Sequence, residues 1–244
     1  MNEFLLNNKL VLITGASKRI GRSLAIACAR AGADVIIHYG HSKKEAIETQ
    51  EQIKSLGRNA WIMPADLSRP NEISDLLKQV SKKGSLYGLI NNAAVFEPLA
   101  VLETRLFDWE KHLAINLTAP FLLSQGFAKQ LELDETGRIV NILDWRALRP
   151  GADHFPYTVS KAALAAMTRS LAIALAPNIT VNGLALGAIL PPVDKPVNAD
   201  ILKNIPAARW GGLTEVEEAL IFLLTGPGYI TGEIIQIDGG RHLV

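Results

Sequence analysis

Cysteine is almost missing from this chain. One thiol, Cys28, in 244 residues cannot close an intrachain disulfide, so a small secreted scaffold stapled by bridges is excluded. Cys28 falls in an Ala-rich helical pattern, where it is expected to act as a small buried hydrophobe. An excess of either charge is missing too. Lys and Arg total 25 against 24 Asp and Glu, a net charge of +1. That balance provides no field to draw in DNA, RNA or an anionic membrane, so none of these is an expected partner. Trp61, Trp109, Trp145 and Trp210 are scattered and lack a basic stripe, which leaves base stacking without support. The five histidines show no HExxH and no paired ligand spacing, so no metal site is expected. An uninterrupted apolar run of membrane length is also missing. Residues 170–193 carry no formal charge, but Pro177, Asn182, Gly183, Gly187, Pro191 and Pro192 break the stretch. At the N-terminus Glu3 is acidic, and the apolar run after Lys9 leads into a Thr-Gly turn rather than a cleavage site. The expected location is the cytoplasm.

What is present is ordinary globular composition, 48% hydrophobic and 20% charged, which excludes disorder. No Gly-, Ser- or Pro-rich linker and no repeat divides the chain, so one domain is expected. Short apolar runs alternate with longer amphipathic ones. Strands are predicted at Lys9–Thr14, Asp34–Tyr39, Asn59–Pro64, Leu86–Asn91, Gly137–Leu143, Ile179–Leu184 and Glu233–Ile237. Helices are predicted at Arg19–Ala31, Ser42–Leu56, Asn71–Lys82, Leu102–Leu131, Tyr157–Ala176 and Thr214–Leu224. The strands are continuous apolar runs, which means burial on both faces. Repeated β-α-β units of this kind predict an α/β fold, a doubly wound and mostly parallel sheet flanked by helices. Residues 186–212, with four prolines, read as an irregular segment long enough to cover a substrate.

Thr14-Gly15-Ala16-Ser17-Lys18-Arg19-Ile20-Gly21 follows the first strand and opens a helix. Gly15 permits a tight turn, Gly21 allows close helix–sheet packing, and the amides at the helix start can hold a pyrophosphate. A dinucleotide fold that prefers NAD places Asp or Glu at the end of the second strand, to accept from the ribose 2′-OH. Here that strand ends His38-Tyr39-Gly40-His41-Ser42, with Tyr39 in the expected position and no acid. Lys18, Arg19, His41, Ser42 and Lys43 are donors suited to a 2′-phosphate. The expected cofactor is therefore NADPH/NADP+. Asp66-Leu67 follows the third strand, where the carboxylate either accepts from the adenine amine or caps the next helix or turn.

Tyr157 and Lys161 stand at i and i+4, on one face of a helix. A free phenol, with a pKa of about 10, holds its proton too firmly for exchange near neutrality. A neighbouring ammonium is expected to stabilise the phenolate and lower that value, so the pair can deliver a proton while a hydride arrives. Such a pair is common by chance. Its weight comes from the Gly-rich turn, from Asn91-Asn92-Ala93-Ala94 after the fourth strand, and from Asn116 in the long helical region.

Taken in order, these motifs resemble the short-chain dehydrogenase/reductase family over nearly the whole chain. The matching pieces are TGASKRIG at 14–21, Asp66, NNAA at 91–94, Asn116, GRIVNIL at 137–143, YTVSK at 157–161 and TGEIIQIDGG at 231–240. The resemblance implies a single Rossmann-type domain, commonly a homotetramer. It implies that Tyr157 donates the proton, that Lys161 binds the nicotinamide ribose and tunes Tyr157, and that Asn116 helps hold a water relay. It also implies that Gly15, Ser17, Lys18, Arg19, Ile20, Gly21, His38, Tyr39, His41, Ser42, Asp66, Leu67, Asn92, Ala93 and Gly187 line the cofactor site.

The departures are more specific. Most members carry Ser thirteen residues before the Tyr, and here that residue is Asp144. A carboxylate is a poor partner for a developing oxyanion and a good one for the N–H groups of a heterocycle. The middle glycine of the turn is Arg19. Phe96 follows NNAAV, where a ring can stack on a flat substrate or simply anchor a loop. The usual Pro-Gly after the sixth strand is Leu186-Gly187. Arg in the turn, Asp for Ser, the aromatic and HYGHS together resemble the pteridine reductases and dihydromonapterin reductases of the family. That likeness implies a pterin substrate held by Arg19, Phe96, Asp144 and Tyr157, with Arg241 approaching a neighbouring subunit's site. The plainer alternative for Asp144 is a pairing with Arg146. A carbonyl reductase of the same family and a non-catalytic NADP-binding protein are the competing expectations.

Overall fold

Each continuous apolar run forms a strand of a seven-stranded sheet. The computed structural model describes residues 5–191 and 200–244. The strands are β1 (Leu10–Ile13), β2 (Asp34–Tyr39), β3 (Ala60–Pro64), β4 (Leu86–Asn91), β5 (Gly137–Asp144), β6 (Ile179–Leu186) and β7 (Ile234–Ile237). Their order is β3-β2-β1-β4-β5-β6-β7, and every pairing is parallel. β1 and β6 are buried at every position, as strands covered on both faces must be. β7, with a neighbour on one side alone, is half-buried throughout.

The helices are α1 (Arg19–Arg30), α2 (Lys43–Ser55), α3 (Pro70–Ser81), α4 (Leu106–Leu113), α5 (Ala119–Gln130), α6 (Phe155–Ala174), the short α7 (Asp200–Lys203) and α8 (Leu213–Thr225). They form two layers. Leu24 and Cys28 of α1, Ile53 of α2 and Leu220 of α8 pack with Val11, Ile13 and Ile37 on one face. Leu76 of α3, Leu123 and Phe127 of α5 and Ala172 of α6 pack with Leu12, Ile36 and Val181 on the other. Fully buried side chains of this size each stabilise the fold by roughly 1.5–3 kcal/mol. The single helix predicted over Leu102–Leu131 needs correction. The chain is irregular from Asn92 to Arg105, and the helix begins at Leu106, where Arg105 N–H donates to Asp108 Oδ2 at 3.3 Å. Between α4 and α5 the helix widens to a π-turn over Ala114–Thr118. Residues 192–199, the centre of the segment expected to cover a substrate, lie outside the described residues.

The chain runs outward from β1 to β3 and then crosses back to β4 on the far side of β1. This reversal opens a crevice beyond the C-terminal ends of β1 and β4, the place where such sheets bind ligands. No helix among the described residues is long and apolar enough to cross a membrane.

Candidate active site

A cleft of about 670 Å3 occupies that crevice. Its floor is the turn after β1. Gly15 holds φ +62°, and a Cβ there would stand 3.0 Å from Ala93 Cα. A Cβ on Gly21 would collide with the Gly15 carbonyl oxygen and stand 2.6 Å from Asn92 Nδ2. The two glycines thus let the turn, the start of α1 and the strand-four loop touch. Thr14 Oγ1 accepts from the amides of Asn92 (2.9 Å) and Ala93 (3.0 Å), and Asn92 Nδ2 donates to the Thr14 carbonyl at 2.8 Å. Arg19 takes φ +53°, a left-handed conformation that is strained for a residue with a side chain. Retaining it where glycine is usual points to a use for the side chain, which lines the cleft and reaches the Pro191 carbonyl at 3.5 Å.

Of the residues expected to hold a cofactor, Gly15, Ser17, Lys18, Arg19, Ile20, Gly21, His38, His41, Ser42, Asp66, Leu67, Asn92 and Ala93 all line this cleft. Tyr39 does not. Side chains alternate along a strand, so His38 faces the cleft while the Tyr39 ring is buried in the core beneath α1 and α2. Gly40 takes its place in the lining. Gly187 also lies outside the lining, packed against Asp238 at the β6–β7 end. Asp66 Oδ1 accepts from Ser68 N–H (2.9 Å) and Ser68 Oγ (2.7 Å), which holds its carboxyl below the usual carboxylate range. Both readings of Asp66 therefore meet in one residue: it closes a local turn and still borders the cleft. Lys111, missed in the sequence, lines the cleft as well and pairs with Glu97 at 2.6 Å. A partner fourteen residues away leaves no local signal.

At the other end of the cleft stands Phe96, half-exposed. Its ring stacks on His154 at 4.1 Å and meets Tyr157 edge-on at 4.6 Å. Tyr157 Oη donates to Asp144 Oδ2 at 3.2 Å. Asp144 Oδ1 accepts from Arg146 N–H at 2.9 Å and lies 3.6 Å from Arg146 Nη1. The carboxylate thus serves both Tyr157 and Arg146, and Arg146 extends to Asp153 at 2.8 Å. Lys161 is buried and donates from Nζ to the Ile142 carbonyl at 2.6 Å. Burial brings its pKa down to about 8. Burying an ammonium is costly, and such groups concentrate at functional sites.

One expectation fails here. The Tyr157 phenol is not made more acidic by Lys161. Burial, then the charge of Asp144 and the hydrogen bond to it, push its pKa well above 10, so it keeps its proton at neutral pH. Lys161 Nζ lies over the Tyr157 ring, 5.8 Å from its centre, and spends its hydrogen bond on Ile142. Both polar atoms of the Asn116 side chain are engaged. Its Oδ1 accepts from Val95 N–H at 2.8 Å, and its Nδ2 donates to the Val95 carbonyl and to Ser160 Oγ, both at 3.0 Å. The π-turn aims it so, and it staples the Phe96 loop to α6. Within the chain Arg241 lies over the Trp145 ring, 4.1 Å from its centre.

The arrangement joins an anion-binding turn to a protonated phenol, a carboxylate and an aromatic face. Lys18, Arg19, His41 and Ser42 supply the donor set for a phosphorylated dinucleotide, and the two glycines leave it a close backbone approach. Residues 15–242 match the family model described as enoyl-(acyl carrier protein) reductase. The 3-oxoacyl-[acyl-carrier-protein] reductase of Synechocystis sp. is 33% identical over 240 residues, spanning 96% of this chain and 97% of that protein. FolM alternative dihydrofolate reductase 1 from Brucella canis, complexed with NADP, has a TM-score of 0.91 at 35% identity, covering 98% of this chain and 96% of its own. A short chain dehydrogenase from Burkholderia cenocepacia in complex with NADP has a TM-score of 0.91 at 33% identity, covering 97% and 98%.

Proposed function

This chain belongs to the short-chain dehydrogenase/reductase family, and from that premise we propose that it reduces a C=N bond of a pterin ring with NADPH. It is an NADP-dependent oxidoreductase: the donor set of the cleft suits that cofactor, and the solved relatives carry NADP. When bound, NADPH supplies a hydride. Ser17 and the start of α1 would offer amides to its pyrophosphate, and Lys18, His41 and Ser42 would offer donors to the 2′-phosphate. Lys161 holds a positive charge at the buried end of the site.

One observation carries the substrate class: the Asp144 carboxylate sits 3.2 Å from the Tyr157 hydroxyl, where most of the family has Ser. Ionised, it is acceptor-only. It repels an oxyanion and accepts from the ring N–H and amino group of a pterin. Tyr157 is the general acid of this reading: it protonates the ring nitrogen as the neighbouring carbon is reduced, and its pKa, raised in the unliganded chain, must fall when cofactor and substrate bind. Phe96 stacks on the flat ring, and Arg19 reaches it from the turn. Asn116 acts through the Val95–Phe96 loop and Ser160 that it fixes.

The 3-oxoacyl-[acyl-carrier-protein] relatives favour a second reading, reduction of a 3-oxoacyl thioester. NADPH oxidation with dihydropterin, dihydrofolate and acetoacetyl thioester separates the two. Turnover confined to the pterin compounds supports the first reading, and thioester turnover alone overturns it. Binding of NADPH with no turnover of any would favour a non-catalytic role. A homotetramer accompanies this proposal. Ala166, Ile173 and Ala174 leave an exposed stripe on α6, and Leu106, Phe107 and Phe121 stay exposed on α4 and α5. A monomer at micromolar concentration in a sizing experiment would remove it.

A further inference from the structure

His38 is almost fully buried, 2% exposed, at the end of β2. Three of its polar groups are engaged, two with the turn after β1 and one with the chain just beyond β3. Its Nδ1 accepts from Gly15 N–H at 3.1 Å, and its carbonyl accepts from Ala16 N–H at 2.9 Å. Its Nε2 faces the Ala65 carbonyl at 3.0 Å, immediately before Asp66. A carbonyl only accepts, so Nε2 carries the proton. Nδ1 receives an N–H, so it carries none. The geometry admits one state of the ring, the neutral Nε2–H tautomer.

We propose that His38 is the positioning residue of the phosphate-binding turn, its bare Nδ1 fixing the Gly15 amide so that the amides from Ser17 onward are presented to the cleft. Gly15 sits at positive φ and presses on Ala93, so it has no side chain with which to secure itself. Held by His38 on one side and by Thr14 and Asn92 on the other, the turn is set before the cofactor arrives. Burial brings the His38 pKa down to about 4, which keeps the ring neutral at working pH. A protonated ring would set a second N–H against that of Gly15.

The inference rests on reading this cleft as the NADP(H) site. Its test uses NADP+ binding by calorimetry, steady-state kinetics, and nitrogen NMR of the imidazole. His38→Asn keeps an acceptor near the Nδ1 position. His38→Leu keeps volume and removes both polar atoms. The expected result is NADP+ affinity within about threefold of wild type for His38→Asn and at least about tenfold weaker for His38→Leu, a loss of one hydrogen bond or more. KM for NADPH should follow the affinity, while kcat stays within about twofold. Equal losses in both variants, no loss in His38→Leu, or a loss of kcat alone would overturn it. If His38→Leu does not fold, His38→Gln takes its place, since it keeps the donor to Ala65 but not the Nδ1 acceptor. Weaker binding by His38→Gln than by His38→Asn supports the proposal, and the reverse order overturns it. In the wild-type protein a neutral Nε2–H signal at pH 7 supports it, and an Nδ1–H tautomer or an imidazolium overturns it. Wild-type protein that binds no NADP+ would overturn the dinucleotide reading and this proposal together; wild-type binding with indifferent variants would overturn this proposal alone.

Discussion

Asp144→Ser is the substitution that separates the two substrate readings. A serine hydroxyl can still accept from Arg146 N–H, as the carboxylate does at 2.9 Å, so the turn after β5 is expected to survive. What disappears is a charged acceptor 3.2 Å from the Tyr157 hydroxyl. A hydrogen bond to a charged group contributes about 1.5–3 kcal/mol. If that bond is made to a pterin N–H in the transition state, kcat/KM for a dihydropterin falls by roughly 10- to 150-fold. Asp144 is not among the residues that line the cofactor cleft, so NADP+ affinity should change less than about threefold. An oxyanion would meanwhile gain a neutral donor in place of a negative charge, and such a donor is worth about 3–4 kcal/mol. Thioester reduction should therefore rise as pterin reduction falls. The assay follows NADPH consumption with both substrates, alongside calorimetric titration of NADP+. Unchanged pterin turnover in Asp144→Ser would refute the role given to this carboxylate.

Arg19→Gly relieves a left-handed conformation costing about 1–2 kcal/mol, offset by about 0.5–1 kcal/mol of extra unfolded-state entropy. The variant should raise the urea midpoint while weakening NADP+ binding; a stability loss would show that the strain argument is wrong. Gly21→Ala drives a methyl group into the Gly15 carbonyl and Asn92, so it should destabilise by about 1–3 kcal/mol and abolish NADP+ binding, read by thermal melting and titration. His38 has its folded pKa at about 4, against about 6.5 unfolded, so the unfolded chain binds the extra proton first. Its contribution is full above pH 6.5 and is lost as pH falls through 4, a change of about 3 kcal/mol. Urea unfolding at pH 7 and pH 4 should show wild type losing about that much more than His38→Asn, and equal losses would contradict the assignment.

The sheet was legible because burial on both faces leaves continuous apolar runs, and Gly57 and Pro177 mark where α2 and α6 stop. The turn at 14–21 and the Tyr157–Lys161 pair were legible because their spacing is local. What stayed hidden depends on partners far along the chain. The loop at 92–105 carries no breaker strong enough to move the start of α4 to Leu106. Asn116 meets Val95 and Ser160 across 21 and 44 residues. Tyr39 fell in the expected motif position, but strand alternation turns it to the core and His38 to the cleft. The acidity of Tyr157 reversed because burial, and then the Asp144 carboxylate 3.2 Å from its hydroxyl, hold the proton on the phenol, and motif spacing shows neither.

The central claim is that Asp144 is there to accept from an N–H-bearing ring. A crystal structure of the complex with NADP+ and a dihydropterin measures this directly. The account predicts a pterin N–H or amino nitrogen within hydrogen-bond distance of an Asp144 carboxylate oxygen, with the ring stacked on Phe96 and a ring nitrogen beside the Tyr157 hydroxyl. A pterin bound elsewhere, with Asp144 turned wholly to Arg146, would contradict it.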